Sequence, residues 1–97
     1  MKDLKTEFAG IGEVRGFTFK QLHSNGYAYL YEVKNPDENI PHYEVFERVE
    51  NVQFDCVSYP KAKSFGVWAW CMKDYDKAMK KYDELTKKVK ERLENKE

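Results

Sequence analysis

The amino-acid sequence predicts an α+β domain, in which an antiparallel four- to five-stranded meander sheet precedes one long amphipathic C-terminal helix packed on one face. Three observations predict this class: alternating apolar residues over the first two thirds, an Asn25-Gly26 turn signal, and apolar residues at helical spacing after Asp74. A chain of 97 residues has room for a single hydrophobic core. We therefore expect one domain over residues 13–97, preceded by a flexible leader at residues 1–12.

The strands are predicted from alternation and turn chemistry. Asn-Gly separates two β-rich runs, and both residues tolerate positive φ, so this pair favours a type I′ hairpin turn. In the strand that follows the turn, Tyr27, Tyr29 and Tyr31 share one face. The predicted strands span residues 13–23, 27–34, 42–50, 52–59 and 66–73.

The second half of the predicted sheet is less regular. Residues 42–59 alternate throughout, and the pattern leaves open whether they form two strands or one long bent strand. Pro60 ends this run, because a proline has no amide hydrogen to donate to a sheet ladder. In the last strand Trp68, Trp70 and Met72 are predicted to share one face.

A helix is predicted over residues 74–94, with Asp74 as its N-cap. Acid–base pairs four residues apart contribute only about 0.2–0.5 kcal/mol each, so an apolar stripe is expected to hold the helix in place. Such a helix is roughly 30 Å long, and its last turns are expected to project beyond the sheet or to pair with another chain. The stripe consists of Tyr75, Ala78, Met79, Tyr82, Leu85, Val89 and Leu93.

Charge and composition narrow the classes of function. The 17 basic residues balance 17 acidic ones, which disfavours a protein that coats duplex DNA, since such proteins collect cations. The N-terminus MKDLKTEF lacks the apolar stretch of a secretory signal, and no run approaches the roughly 20 apolar residues of a membrane span. We therefore expect a cytoplasmic protein without membrane contact, in which both cysteines are buried, reduced thiols.

The sequence contains no recognisable catalytic or cofactor motif. The two histidines and two cysteines (His23, His42, Cys56 and Cys71) lack the spacing of a zinc site and give little support for a Cys–His nucleophilic pair. Carboxylates are abundant, but solvated surface is their default interpretation. The Gly10-Ile11-Gly12 segment lacks the third glycine of a dinucleotide-binding loop. A non-enzymatic protein without metal or cofactor is expected.

A candidate binding surface combines aromatic and lysine side chains. Residues 56–73 carry three lysines and no acid, and aromatics interleave with the lysines, as in single-stranded nucleic-acid binding. The competing interpretation places Trp68 and Trp70 in the core beneath the helix. One helix covers one sheet face, so the other face is expected to be uncovered, and its aromatic side chains favour contact with a partner or a ligand. The candidate residues are Tyr27, Tyr29, Tyr31, Tyr59, Lys61, Lys63, Trp68 and Trp70.

The string HYEVFERVENVQFDCVSYPKAKSFGVWAW, followed by a Lys-rich helix, resembles small uncharacterised proteins of Bacteroides-type gut bacteria and of their phages and mobile elements. The resemblance covers roughly residues 12–90, implies a bacterial or phage origin, and implies no activity or site residue. The order of strands and helix is also similar to the half-repeat of Pur-alpha and whirly-type single-stranded nucleic-acid binders, none of whose motifs is matched.

Three functions remain as hypotheses. The first is a non-enzymatic interaction module, expected to be a homodimer that acts through protein–protein contacts of the uncovered face or the helix end. The second is a single-stranded DNA- or RNA-binding protein that uses residues 59–70. The third is a phage-encoded inhibitor that binds a host protein.

Overall fold

The computed structural model describes residues 1–95 and has the predicted α+β class. The strands are β1 (Glu7–Ala9), β2 (Thr18–Ser24), β3 (Ala28–Lys34), β4 (His42–Glu47), β5 (Glu50–Asn51), β6 (Cys56–Val57) and β7 (Ala69–Met72), and helix α1 spans Tyr75–Glu94. Short 3₁₀ turns occur at Gly12–Val14 and Ala62–Ser64. An antiparallel sheet of five strands has the order β1-β2-β3-β4-β7, while β5 and β6 form a small separate hairpin. Residues 96 and 97 of the predicted domain lie outside the described residues.

The N-terminal part of the sheet differs from the sequence prediction. Part of the predicted flexible leader, residues 7–9, forms the edge strand β1, which pairs antiparallel with β2. Strand β2 starts later than the predicted 13–23, because the preceding residues form a loop closed by a bond from Gly10 N–H to Phe17 O at 2.8 Å. The leader prediction was wrong here because a three-residue edge strand carries no readable periodicity.

The run 42–59 forms neither of the two arrangements that its alternation left open. Strand β4 ends at Glu47, and β5 and β6 contribute two residues each to the hairpin beneath the sheet. The hairpin turn is local: Asn51 Oδ1 accepts a bond from Phe54 N–H at 3.2 Å, and Asp55 has a φ of 50°. A polar turn at residues 52–55 therefore interrupts the run inside the predicted strand 52–59.

Trp68 and Trp70 lie on opposite faces of the sheet, which corrects the prediction that they share one face. The cause is a turn before β7. Gly66 has a φ of 88°, and the N–H groups of Val67 and Trp68 both donate to Ser64 O, at 3.0 and 3.1 Å. Strand alternation therefore begins only after Trp68, and β7 is shorter than the predicted 66–73.

The helix prediction is confirmed, including its cap. Asp74 Oδ1 accepts a hydrogen bond from Asp76 N–H at 2.8 Å, which satisfies one amide of the first turn. The helix packs on the sheet face that carries Ala28, Leu30 and Val45, hereafter the helix face. The buried part of the predicted stripe is Ala78, Tyr82, Leu85 and Val89.

Near its C-terminal end the helix is tied to the sheet by an ion pair. Arg92 Nη1 donates to Glu47 Oε1 at 2.9 Å, and the Glu47 side chain is buried. Beyond the last buried residue, Leu93 is 53% exposed. The end of the helix thus presents an apolar side chain to solvent, and pairing of this end with another chain stays a prediction.

The opposite sheet face, which carries Tyr29 and Tyr31 and is called the tyrosine face, is covered. Tyr29 is 1% exposed and Tyr31 is 0% exposed, which contradicts the predicted uncovered aromatic face. The N-terminal segment crosses these rings: Tyr29 OH donates to Asp3 Oδ1 at 2.5 Å, and Tyr31 OH donates to Lys5 O at 2.6 Å. Arg48 Nη1 donates to Tyr29 OH at 2.8 Å. The bond from the Tyr29 hydroxyl lowers the pKa of Asp3.

Buried tyrosines are expected to make the fold sensitive to alkaline pH. Desolvation raises the pKa of the hydroxyls of Tyr29, Tyr31, Tyr43, Tyr59 and Tyr82. Because the unfolded chain ionises first, this contribution to the free energy of unfolding is full below about pH 10 and falls as the pH rises above it. Denaturant titrations at increasing pH, followed together with phenolate absorbance, measure the effect. A phenolate titration curve of the still-folded protein that coincides with that of the denatured control, with its midpoint near pH 10, would contradict it.

Candidate functional site

An apolar cleft with a volume of about 970 Å³ opens on the tyrosine-face side of the sheet. It lies between β1 with its following loop on one side and residues 59–65 on the other. Small-molecule sites commonly have volumes of about 300–1,000 Å³ and mostly apolar walls. The cleft therefore has the size and the character of a site for a small ligand. Its apolar wall includes Leu4, Phe8, Phe17, Phe19, Pro60 and Phe65.

One wall of the cleft is built by cross-strand pairing and a tight loop. Phe8 in β1 lies opposite Phe19 in β2, and their rings stack with centroids 4.6 Å apart. The loop after β1 turns back so closely that a Cβ at Gly10 would lie 2.1 Å from Val14 O. Only glycine allows this approach. The loop thereby places the apolar side chains of Ile11 and Val14 along the rim of the cleft.

Tyr59 is the aromatic centre of the floor. Its ring meets four others edge-on, with centroid distances of 5.4 Å to Phe8, 5.5 Å to Phe19, 5.2 Å to Tyr31 and 4.9 Å to Phe46. Edge-to-face pairs of this kind are favourable because the positive edge of one ring meets the negative face of another. Tyr59 therefore joins the cleft to the core beneath it.

A carboxylate lies within the cleft at Glu44, whose side chain is 14% exposed. Tyr59 OH donates to Glu44 Oε1 at 2.7 Å, and His42 Nε2 lies 3.1 Å from Glu44 Oε2. Burial, followed by the negative charge and hydrogen bond of Glu44, raises the pKa of Tyr59. The hydroxyl therefore stays protonated and holds the carboxylate in a fixed orientation.

Cys71 lies opposite Glu44 in the β4–β7 pair and also lines the cleft. Cys71 lies on the edge strand β7 and is exposed, and Cys56 is half-buried, so the expectation that both thiols are buried was wrong. Partial desolvation, followed by the charge of Glu44, raises the pKa of the Cys71 thiol. A thiol becomes a strong nucleophile when its pKa is lowered toward neutrality. The environment of Cys71 acts in the opposite direction, which disfavours a nucleophilic cysteine at this site.

The histidines are separated by the sheet. His23 Nε2 lies 3.0 Å from Tyr75 OH on the helix side, whereas His42 contacts Glu44 on the cleft side. Within residues 1–95, no three His, Cys, Asp or Glu side chains are grouped so that they could hold a metal ion. In the same range, no helix is long and apolar enough to cross a bilayer.

The sequence-predicted candidate surface does not assemble as one surface. Tyr29 and Tyr31 are core residues, and Tyr27 is half-buried beside the hairpin turn. Trp70 faces the helix, where Lys81 Nζ lies 4.2 Å from its ring centroid, while Trp68 packs against Phe46 on the other face. Two rings separated by a sheet cannot stack on neighbouring bases of one strand.

The structure brings together part of the predicted set in the cleft. Tyr59 and Lys61 line it, while Lys63 is exposed on the same short turn. Sequence reasoning missed Glu44 and Phe8, which are equally part of the lining. The alternation around Glu44 placed it correctly in a strand, but no pattern indicated that the residues opposite would leave a cavity above it.

Comparison with protein-family models, with curated proteins and with solved structures finds no match for this chain. The cleft geometry is therefore the basis of the functional proposal.

Proposed function

We propose that this chain is a non-enzymatic binding module whose cleft takes up a small, largely apolar molecule. The observation that carries the proposal is the open apolar cavity of about 970 Å³. Its lining is mainly apolar and is open to water, so covering it with an apolar ligand removes apolar surface from water, which is favourable. An apolar cavity kept open by a loop and a turn is the arrangement used for ligand uptake.

The shape of the site favours a small molecule over a second protein chain. The loop after β1 lines one side of the cleft and residues 60–65 line the other. Tyr59 and Phe19 lie between them. A protein–protein contact of ordinary stability needs about 800 Å² of complementary surface from each partner. The broad tyrosine face that was to supply such a surface is occupied by the chain itself.

The other hypotheses keep the status of predictions. The homodimer hypothesis was based partly on an uncovered sheet face, and that face is covered. The exposed end of α1 is still available for self-association or for a host protein. Single-stranded nucleic acid binding has lost its shared stacking platform, because Trp68 and Trp70 lie on opposite faces. No observation on the described residues favours any of these three hypotheses over the binding of a small molecule in the cleft.

Titration with the neutral apolar dye Nile red tests the proposal. We expect saturable fluorescence enhancement with one dye per chain. Ala62→Trp, which adds bulk to a residue that lines the cleft, is expected to abolish it. Val67→Trp is the matched control, since Val67 is exposed in the same segment and outside the cleft.

Absence of saturable binding, or equal binding by both tryptophan variants, would remove the proposal. Light scattering on the same samples separates it from the predicted homodimer. Cleft binding by one chain is expected to leave the molecular mass unchanged when dye is added.

A further inference from the structure

We infer that the cleft prefers ligands with a cationic head on an apolar body, and that Glu44 binds this head. The inference rests on the proposed function and concerns the chemistry of the ligand. It starts from a difference in burial among the four charged residues that line the cleft. Glu44 has a side chain that is 14% exposed, whereas Lys5, Glu13 and Lys61 are exposed at the rim.

The difference in burial decides which charge a ligand senses. Charges at the rim are solvated, and salt screens them over a Debye length of about 8–10 Å. A carboxylate set among apolar side chains is screened less, since the local dielectric constant is lower. Glu44 therefore dominates the electrostatic character of the interior, whereas the solvated rim, with Lys5 and Lys61 against Glu13, carries one net positive charge that salt screens.

Glu44 also lacks a strong counter-ion. Among residues 1–95 its one ionic partner is His42, while Glu47 on the same strand is paired with Arg92. A buried carboxylate is most stable when paired with a cation through hydrogen bonds. A ligand ammonium group would supply the cation that the chain itself provides to Glu47 but not to Glu44.

The carboxylate has room for this additional bond and is held ready for it. An ionised carboxylate accepts about four hydrogen bonds, and Glu44 receives one from Tyr59 OH, with the His42 ring nitrogen beside its other oxygen. These two neighbours fix its orientation from the protein side. Because Glu44 lines the cleft, its remaining capacity to accept hydrogen bonds is available to a ligand head group without rearrangement of the side chain.

Three naphthylmethyl probes that differ only in the head group test the inference: naphthylmethylamine, naphthalenemethanol and naphthylacetic acid. The apolar body is the same, so differences in affinity report the head. We expect the amine to bind about tenfold tighter than the alcohol, and the acid to bind more weakly than the alcohol. Calorimetric or fluorescence titration at constant ionic strength gives the three affinities.

Glu44→Gln keeps the size and hydrogen-bonding capacity of the side chain and removes its charge. We expect it to reduce the amine-to-alcohol ratio to near one while the alcohol affinity persists, which also verifies the fold. Glu91→Gln is the matched control, because Glu91 is an exposed carboxylate on α1, on the opposite side of the sheet from the cleft. It removes the same charge from the molecule and is expected to leave the ratio unchanged.

The outcomes separate this inference from the proposed function. If the three probes bind the wild-type protein with equal affinity, or the acid binds tightest, the head-group inference is wrong and cleft binding stands. If Glu91→Gln lowers the ratio as much as Glu44→Gln does, net charge and not Glu44 sets the preference. If no probe binds, both proposals fail. The wild-type ranking decides the matter even if Glu44→Gln does not fold.

Discussion

Replacing Tyr59 with alanine is expected to lower the free energy of unfolding by about 3–5 kcal/mol, the range for removal of a large aromatic side chain from a core. The expected loss is large because the ring contacts Phe8, Phe19, Tyr31 and Phe46 at once. These rings belong to four different strands, so the substitution loosens contacts across the whole tyrosine face. Denaturant unfolding followed by circular dichroism measures the change.

Tyr59→Phe is the control for this substitution. It keeps the ring and removes the hydroxyl that bonds Glu44 at 2.7 Å. The expected loss is about 1.5 kcal/mol, the lower end for a hydrogen bond to a charged group, because water in the open cleft replaces the hydroxyl. If the alanine and phenylalanine variants were equally stable, the ring would not have the packing role assigned to it.

Leu85→Ala is expected to lower the free energy of unfolding by about 2–5 kcal/mol. Leu85 is 1% exposed and packs in the apolar core between α1 and the helix face. Deleting its side chain leaves a cavity between the helix and the sheet. Thermal and denaturant unfolding of the variant measure the loss.

Leu93→Ala is the matched substitution on the same helix. Leu93 is exposed in the last turn, so its truncation is expected to change the free energy of unfolding by less than about 0.5 kcal/mol. Equal losses at the two positions would mean that the end of the helix is buried by a partner in solution. That result would support the predicted self-association through the helix end.

The parts of the fold that could be predicted from the sequence are those with a local signal. The helix is visible because its apolar stripe repeats at 3.6 residues per turn and Asp74 supplies its cap. The hairpin is visible because Asn25-Gly26 is a turn signal between two alternating runs, and the strands on either side pair as expected. The predicted type I′ turn was wrong: Gly26 has a φ of 85° but Asn25 does not have positive φ, and its Oδ1 accepts bonds from Tyr27 N–H and Ala28 N–H instead. Both features depend on residues that are close together in the chain.

The cover over the tyrosine face could not be predicted, because it depends on contacts between distant segments. Residues 2–5 carry no periodicity, yet Asp3 and Lys5 meet hydroxyls that come some 26 residues later in the chain. The placement of Trp68 failed for a local reason, since the turn at Gly66 shifted the start of alternation. Turns of this kind are read less reliably than long periodic segments.

The cleft is the least predictable feature, since four separate parts of the chain line it (4–19, 44, 59–65 and 71) and none has a motif. Tyr59 and Lys61 were identified as binding candidates from their aromatic and basic character, and both line it. Glu44 was not identified, because a strand glutamate is by default a solvated one. Only the three-dimensional arrangement shows that it lies in an apolar cavity.

The most direct test of the central claim, that the cleft is the binding site, is amide chemical-shift mapping with an uncharged apolar probe. A competing apolar surface exists on the β5–β6 hairpin, where Val52 is 81% and Phe54 is 70% exposed. Spectra of the isotope-labelled protein with and without naphthalenemethanol distinguish the two. We expect the shifts to concentrate in residues 8–17 and 59–65 and to saturate at one probe per chain. Shifts centred on Val52 and Phe54, with the cleft residues unchanged, would contradict the account.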